Sequence, residues 1–431
     1  MTKSKCQKQI QMSKSKFQTN PTPDRFIRGQ NPNDKKNFWI LDFIWHLSFG
    51  FFTLSVSVPQ TFLRKDLRLL SLIISCYLLS AGTVSADWPM FMKAPVHSSY
   101  SSDTLSLPLK LKWRFKTDGP IYSSPVVYGK MVFLGSYDSY LYALDAESGV
   151  LIWKIKTDGP ILSTPAVSDG VIYFGSKDGW IYAVSIKEGK LLWKYETKGK
   201  VLTSPLVAED VVFIGSNDYY FYALSAKDGR LIWRSKLLDY KYGGLYSSPI
   251  YKGGIIYITA KSGIVNAFDA KSGAKLWAYR TATSAYSSPS IHKGSLYIAT
   301  YRRILLALDA EKGTLIWQAE LGEWPYSSPV AIKDSVYIAL KNGSIKSFNI
   351  KDGKSEKEYK FPDELNSTMA VSKNNIVVIG CDDGGLYALN LEKNEVSLQY
   401  MTNGGIHSSP AIANGIVYVG SKDGFVYALG Q

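Results

Sequence analysis

The chain has 431 residues, 45% of them hydrophobic and 20% charged, a balance that excludes a disordered chain and a membrane bundle. Its formal net charge of +14 is concentrated at one end, because residues 1–86 hold 12 Lys and Arg against 4 Asp and Glu. The remainder carries only a mild excess and no basic stripe interleaved with aromatics, which excludes a nucleic-acid surface.

Residues 1–63 are a basic leader and an apolar stretch, Phe38 to Val58, that is long enough for a bilayer but carries Asp42 and His46. An over-extended start is the preferred reading, with a membrane anchor as the alternative. Residues 64–86 have a basic start, an apolar run from Leu69 to Leu79, and Val84 and Ala86 where a signal peptidase cuts, the pattern of a secretory signal. If both apolar runs spanned the membrane, Arg64, Lys65 and Arg68 would face outward, against the positive-inside tendency. Cys76 follows too short an apolar run to suit lipidation, so of the three cysteines only Cys381 lies beyond the signal. Cys381 sits in IGCDD and reads as a strand-end filler. The four histidines show no ligand spacing, and neither a metal nor a cofactor is expected.

After a lead-in at 87–110 comes a repeat. The motifs YSSP, LSTP, LTSP, YSSP, YSSP, YSSP and HSSP place prolines at Pro125, Pro165, Pro205, Pro249, Pro289, Pro329 and Pro410. The spacing is 40, except for a four-residue insertion before Pro249, around Tyr240 to Gly244, and a gap of 81 that hides a degenerate copy at Asn366 to Met369. That makes eight copies. Each holds four short runs of alternating or β-branched residues bounded by Gly, Asp, Asn or Ser, which predicts four antiparallel strands. A sheet of this kind exposes two apolar faces and buries them only against neighbours, so the expected fold is all-β: an eight-bladed β-propeller of four-stranded antiparallel blades spanning 111–431. Residues 111–117 match a fourth strand but precede the first copy, and the last copy stops without one. The N-terminal strand is therefore expected to pair into the last blade and remove an open edge. Trp113, Trp153, Trp193, Trp233, Trp277 and Trp317 on fourth strands are expected to dock between blades. The corresponding positions in the sixth and seventh copies read as Lys357 and Leu398, which marks that sector as the least stable.

The segment ALDAESGVLIW, residues 143–153, resembles the tryptophan-docking repeat of the PQQ-type, or quinoprotein-like, propeller family. That family includes quinone-dependent dehydrogenases and non-enzymatic scaffolds, the best known of the latter being the propeller lipoprotein subunit of the outer-membrane β-barrel assembly machine. The dehydrogenases carry long insertions, an adjacent cysteine pair and a calcium site with an aspartate base. Here the copies are nearly uniform and no two cysteines are adjacent. Asp382 and Asp383 read as turn residues like Asp178 and Asp423 rather than a metal pair.

The reading is thus a non-catalytic, extracytoplasmic scaffold, periplasmic or tethered by its N-terminus, monomeric, binding protein partners in the cell envelope. The alternative is a PQQ-dependent dehydrogenase or a propeller that binds a small ligand. The loop before each first strand and the turn between second and third strands should share a face. That face carries the proposed partner-binding residues Tyr122, Tyr246, Tyr286, Arg302, Arg303, Trp324, Tyr326 and His407, residue types that dominate binding hot spots. The competing reading is that the tyrosines only pack beneath their loops.

Overall fold

The computed structural model describes residues 45–49, 52–56, 87–237 and 244–431. The proposed signal at 64–86, with Cys76, and the core of the insertion at 238–243 lie outside the described residues. Trp45–Phe49 and Phe52–Val56 pair as an antiparallel hairpin in a unit of their own, Met1–Ala81. Among the described residues no helix is long and apolar enough to cross a membrane.

The second unit, Gly82–Gln431, holds eight four-stranded antiparallel sheets. Blade 1 runs Val126–Tyr128, Met131–Gly135, Tyr140–Asp145 and Leu151–Lys156, from the channel outward. The same plan repeats through blade 7, which ends in Glu395–Met401. Blade 8 takes Ala411–Ala413, Ile416–Gly420 and Phe425–Gly430 from the C-terminal side and Lys110–Lys116 as its outer strand. The N-terminal strand thus closes the ring.

Burial explains why the strands read as they do. Second and third strands are covered on both faces along their middle and are mainly apolar there, as in MVFLG and YLYALD, whereas outer strands such as LIWKIK alternate. The core lies in the seams: Val126, Phe133 and Leu141 of blade 1 pack with Val167, Ile172 and Phe174 of blade 2.

Each fourth-strand tryptophan crosses one seam. Trp153 Nε1 donates to the Ile186 carbonyl of blade 2 at 2.8 Å, and its indole covers Gly189, where an added Cβ would lie 2.6 Å from the ring. Trp193, Trp233, Trp277 and Trp317 do the same for Ala226, Ala270, Ala310 and Ile350, and Trp113 carries the pattern from blade 8 to Ala146 of blade 1. By area, each indole contributes at most about 4–6 kcal/mol. At the seam from blade 6 to blade 7, Lys357 Nζ and Tyr359 Oη donate to Asn394 Oδ1 instead. In blade 7 a bulge shifts the strand, so the docking position opposite Ala388 is Ser397, not Leu398. A tryptophan there would have no target, because blade 8 draws its third and fourth strands from opposite ends of the chain and has no turn between them.

The lead-in also has a defined path. It follows the channel-side edges of the first strands in ring order. Trp88 exchanges two backbone bonds with Val127, and the amides of Val167, Tyr251 and Ile291 donate to Pro89, Pro95 and Val96. Val371 pairs with Ser99 and Ser101, and the Ser101 hydroxyl reaches the Ile412 carbonyl. Met90, Met92 and His97 are buried along it. The channel is lined on this side by the chain's own backbone.

Candidate functional site

The four-residue motif divides its labour. The first hydroxyl residue mostly serves its own blade: Ser287 Oγ accepts from the Ala299 amide and donates to the Ala299 carbonyl, while in blade 1 Ser123 accepts from Gly135 and donates across the seam to the Ser163 carbonyl. The second links blades. The Ser124 amide donates to Thr164 Oγ1, Thr164 to Ser204, Ser204 to Ser248, Ser248 to Ser288, Ser288 to Ser328, Ser328 to Thr368, Thr368 to Ser409 and Ser409 back to Ser124, all within 2.8–3.1 Å. Eight links make a closed circle. The proline begins the strand, and the leading tyrosine or histidine is left to the face outside.

That face also carries the turn between second and third strands, as expected, because the Asp118 amide before blade 1 donates to Asp138 Oδ2 in the turn at 2.9 Å. Asp138 also accepts from the Tyr142 hydroxyl at 2.7 Å. Burial first, then this carboxylate, raises the Tyr142 pKa far above the ordinary range, so the phenol stays a donor. Asp178, Asp218, Asp383 and Asp423 clamp Tyr182, Tyr222, Tyr387 and Tyr427 in the same way.

Blades 4, 5 and 6 lack this aspartate and carry Ser262, Arg302 and Asn342 at its place. Over these blades a ribbon of rings runs from Tyr246 to Tyr286 (centroids 5.7 Å apart), to Tyr301 (5.8 Å), to Trp324, which stacks on Tyr301 at 5.5 Å. Cations lie over the rings: Lys261 over Tyr246 and Tyr286, Arg303 over Trp324, and Lys341 over both Trp324 and Tyr326. The tyrosines are not tucked beneath their loops, since Tyr246, Tyr286, Tyr301 and Tyr326 are 36–49% exposed.

A second cluster forms where blades 7, 8 and 1 meet. Asp382 Oδ1 accepts from His407 Nε2 at 2.8 Å and from Lys422 Nζ at 2.7 Å. Burial raises the Asp382 pKa, but Lys422 and His407 more than offset this and hold it below the usual carboxylate range. Tyr122 packs edge-on against His407 and Tyr137, whose hydroxyl accepts from Lys177.

The structure therefore places seven of the eight expected residues in two groups. Tyr246, Tyr286, Arg303, Trp324 and Tyr326 belong to the ribbon, Tyr122 and His407 to the second cluster, and Arg302 is exposed in the turn of blade 5. Tyr301, at the centre of the ribbon, and Asp382 were outside that set. Asp382 had a legible signal: it occupies the position held by Tyr137, Lys177, Asn217, Lys261, Tyr301, Lys341 and Lys422, where it is the one acid. Both aspartates lie in the turn, but only Asp383 stands at the Asp178 position and clamps a tyrosine. Cys381 is buried, and burial pushes its thiol up to about 12.

The sequence profile of the family described as outer membrane protein assembly factor BamB matches residues 110–163, 139–288 and 261–356. No curated protein sequence matches the chain. Among solved structures, BamB from Moraxella catarrhalis is similar at 18% identity with a TM-score of 0.66, covering 75% of this chain and 100% of its own. A europium-containing methanol dehydrogenase reaches a TM-score of 0.69 at 14% identity, covering 83% of this chain and 100% of that one. Quinohemoprotein alcohol dehydrogenase from Comamonas testosteroni reaches 0.68 at 15% identity, covering 82% of each. Likeness at such identities concerns the fold alone. With the profile running unbroken from residue 110 to residue 356, more than half of the chain, and a ring of eight blades around it, the protein belongs to the PQQ-repeat propeller family described as outer membrane protein assembly factor BamB.

Proposed function

We propose that the protein is a non-catalytic scaffold working outside the cytoplasm, which holds a segment of an envelope protein against the ribbon from Tyr246 to Tyr326. The ribbon itself carries this reading. It is a contiguous set of exposed aromatic side chains bedded with Lys261, Arg303 and Lys341. Rigid rings cost little conformational entropy on docking, and tyrosine, tryptophan and arginine supply most of the energy in protein interfaces. The secretory pattern at 64–86 and the envelope role named for the family agree with export. By the same resemblance, outer-membrane protein assembly is the setting we favour.

The dehydrogenase reading asks for a quinone bed and calcium ligands that these residues do not fit. Cys381 has no neighbouring cysteine, and Asp382 is already engaged by His407 and Lys422. Among the described residues no three of His, Cys, Asp and Glu gather where a metal could sit. Mixing the purified protein with PQQ and calcium and recording the quinone absorbance after desalting separates the two readings, because a scaffold retains no chromophore. The direct test of the ribbon is the triple variant Tyr246→Ala, Arg303→Ala, Trp324→Ala. It should lose capture of envelope proteins while its thermal melt stays unchanged, and unaltered capture would sink the proposal.

A further inference from the structure

The lead-in serves the first strand of blade after blade, but it passes two stations, blades 3 and 6, without a hydrogen bond. At blade 3 Met90 lies in the same buried cluster as Leu206 and Val207. At blade 6 Met92 shares a buried cluster with Val330 and Ile332, whereas Ala331 packs against a cluster that holds no lead-in residue. The lead-in bonds to Ile291 through Val96 and next to Val371 through Ser99, and the Ala331 station between them receives no bond from it. A cavity of about 510 Å³ lies there, lined by residues of the lead-in and of blades 5, 6 and 7.

The sequence explains the cavity. Across each seam, the first residue of one inner strand meets the second residue of the next, as Val126 meets Val167, Ile250 meets Ile291 and Val330 meets Val371. The pair at the seam between blades 5 and 6 is Ser290 with Ala331, smaller than at any other seam. Ser290 is the one hydroxyl at a position otherwise held by Val, Ala, Leu or Ile. Its Oγ is buried and has no hydrogen-bond partner. A buried hydroxyl without a partner is costly, and a polar ligand in the adjoining space would relieve it. Lys333 and Lys373 stand at the rim, and no carboxylate lines the cavity.

We infer that this cavity receives the C-terminal end of a short extended peptide. Its main chain would pair with the channel-side edge of Ala331, as the lead-in pairs with Val127 and Val371. A small side chain would enter the seam toward Ser290, and the terminal carboxylate would lie between Lys333 and Lys373. The volume is within the range of small-ligand pockets, and an edge strand completed by an added peptide is a recurrent mode of recognition. The inference does not rest on the ribbon.

The probe is N-acetyl-tetra-alanine with a free carboxylate, beside its C-terminal amide, titrated by calorimetry into the full chain. The acid should bind at least about tenfold more tightly than the amide, because only it presents a charge to the two lysines. Changing Lys333→Gln and Lys373→Gln together, both exposed, should erase that difference without affecting folding. Ala331→Leu, which fills the seam, should abolish binding of both peptides. Equal affinity for acid and amide would overturn the inference. So would the lysine variant keeping the preference, acetate binding as tightly as the peptide acid, or the absence of any heat with the acid.

Discussion

The amide of Ser409 donates to the hydroxyl of Ser124 at 2.9 Å, joining blade 8 to blade 1 across 285 residues of sequence. It is the last link of a circle in which every blade offers an amide to its neighbour and a hydroxyl to the one before. Ser124→Ala removes the acceptor and leaves the part-buried Ser409 amide unsatisfied, which should cost about 1 kcal/mol. Ser124→Thr keeps the oxygen and should recover most of that loss. Chemical denaturation of the three proteins checks this, and an alanine variant as stable as the parent would show that the circle carries no weight.

The seams should differ in strength. Trp193→Ala should destabilise by about 3–5 kcal/mol, as expected for a large aromatic removed from a packed site. Gly229→Ala should also be strongly destabilising, because Gly229 has φ +72 and an added Cβ would meet the Trp193 ring at 2.6 Å. Leu398→Ala should cost little, since Leu398 is 49% exposed. Equal losses for Trp193→Ala and Leu398→Ala, read from unfolding midpoints, would contradict the seam account.

Hydrogen exchange should follow the same map. Blade 7, joined to its neighbours without tryptophans, should show its amides opening before those of blade 2. If blade 2 exchanged first, the indoles would not be what secures the ring.

Stability should depend on pH through the lead-in. His97 is buried and its Nδ1 lies 2.8 Å from the Pro289 carbonyl; burial pushes its pKa down to about 4 from an ordinary 6.5. Between those values the unfolded chain binds the proton and the folded one does not, so stability falls as pH drops through that window. The full loss is about 3 kcal/mol, and none is expected above the ordinary value. Denaturation at several pH values should show this slope, and His97→Gln should flatten it.

Cys381, with a buried thiol held up to about 12, should resist alkylation in the folded protein and react once it is unfolded. Mass spectrometry after iodoacetamide treatment decides this.

Much of the ring was legible because a blade must repeat its spacing to seal against its neighbours. The prolines gave the copy number, and the surplus strand at 111–117 gave the closure. The route of 87–109 was not legible. Its bonds run from main chain to the inner strands of blades 1, 2, 4, 5 and 7 and through the Ser101 hydroxyl to blade 8, and Met92, Lys93, His97 and Ser99 take positive φ values that no repeat announces. At the candidate site, residue types and loop order placed these side chains on one shared face, but neighbours across blades depend on which rings touch. The link from Tyr301 to Trp324 and the pairing of Asp382 with Lys422, 40 residues apart, emerge only once the ring is closed. The place of Leu398 was misjudged because a bulge moves the register by one residue.

Closure by the N-terminal strand also sets an order of events. Thr117 Oγ1 finds the Gly424 carbonyl 307 residues later, and the strand beside it pairs with residues made equally late. During synthesis or export the earliest blade-forming segment must wait, with one edge bare, while seven sheets form behind it. A chain cut short before Phe425 would keep its Trp113 segment unmatched, a sticky end for a second molecule. Completion of the eighth blade is therefore the step that removes the last bare edge, and a shortened chain would leave it open to pairing with another copy.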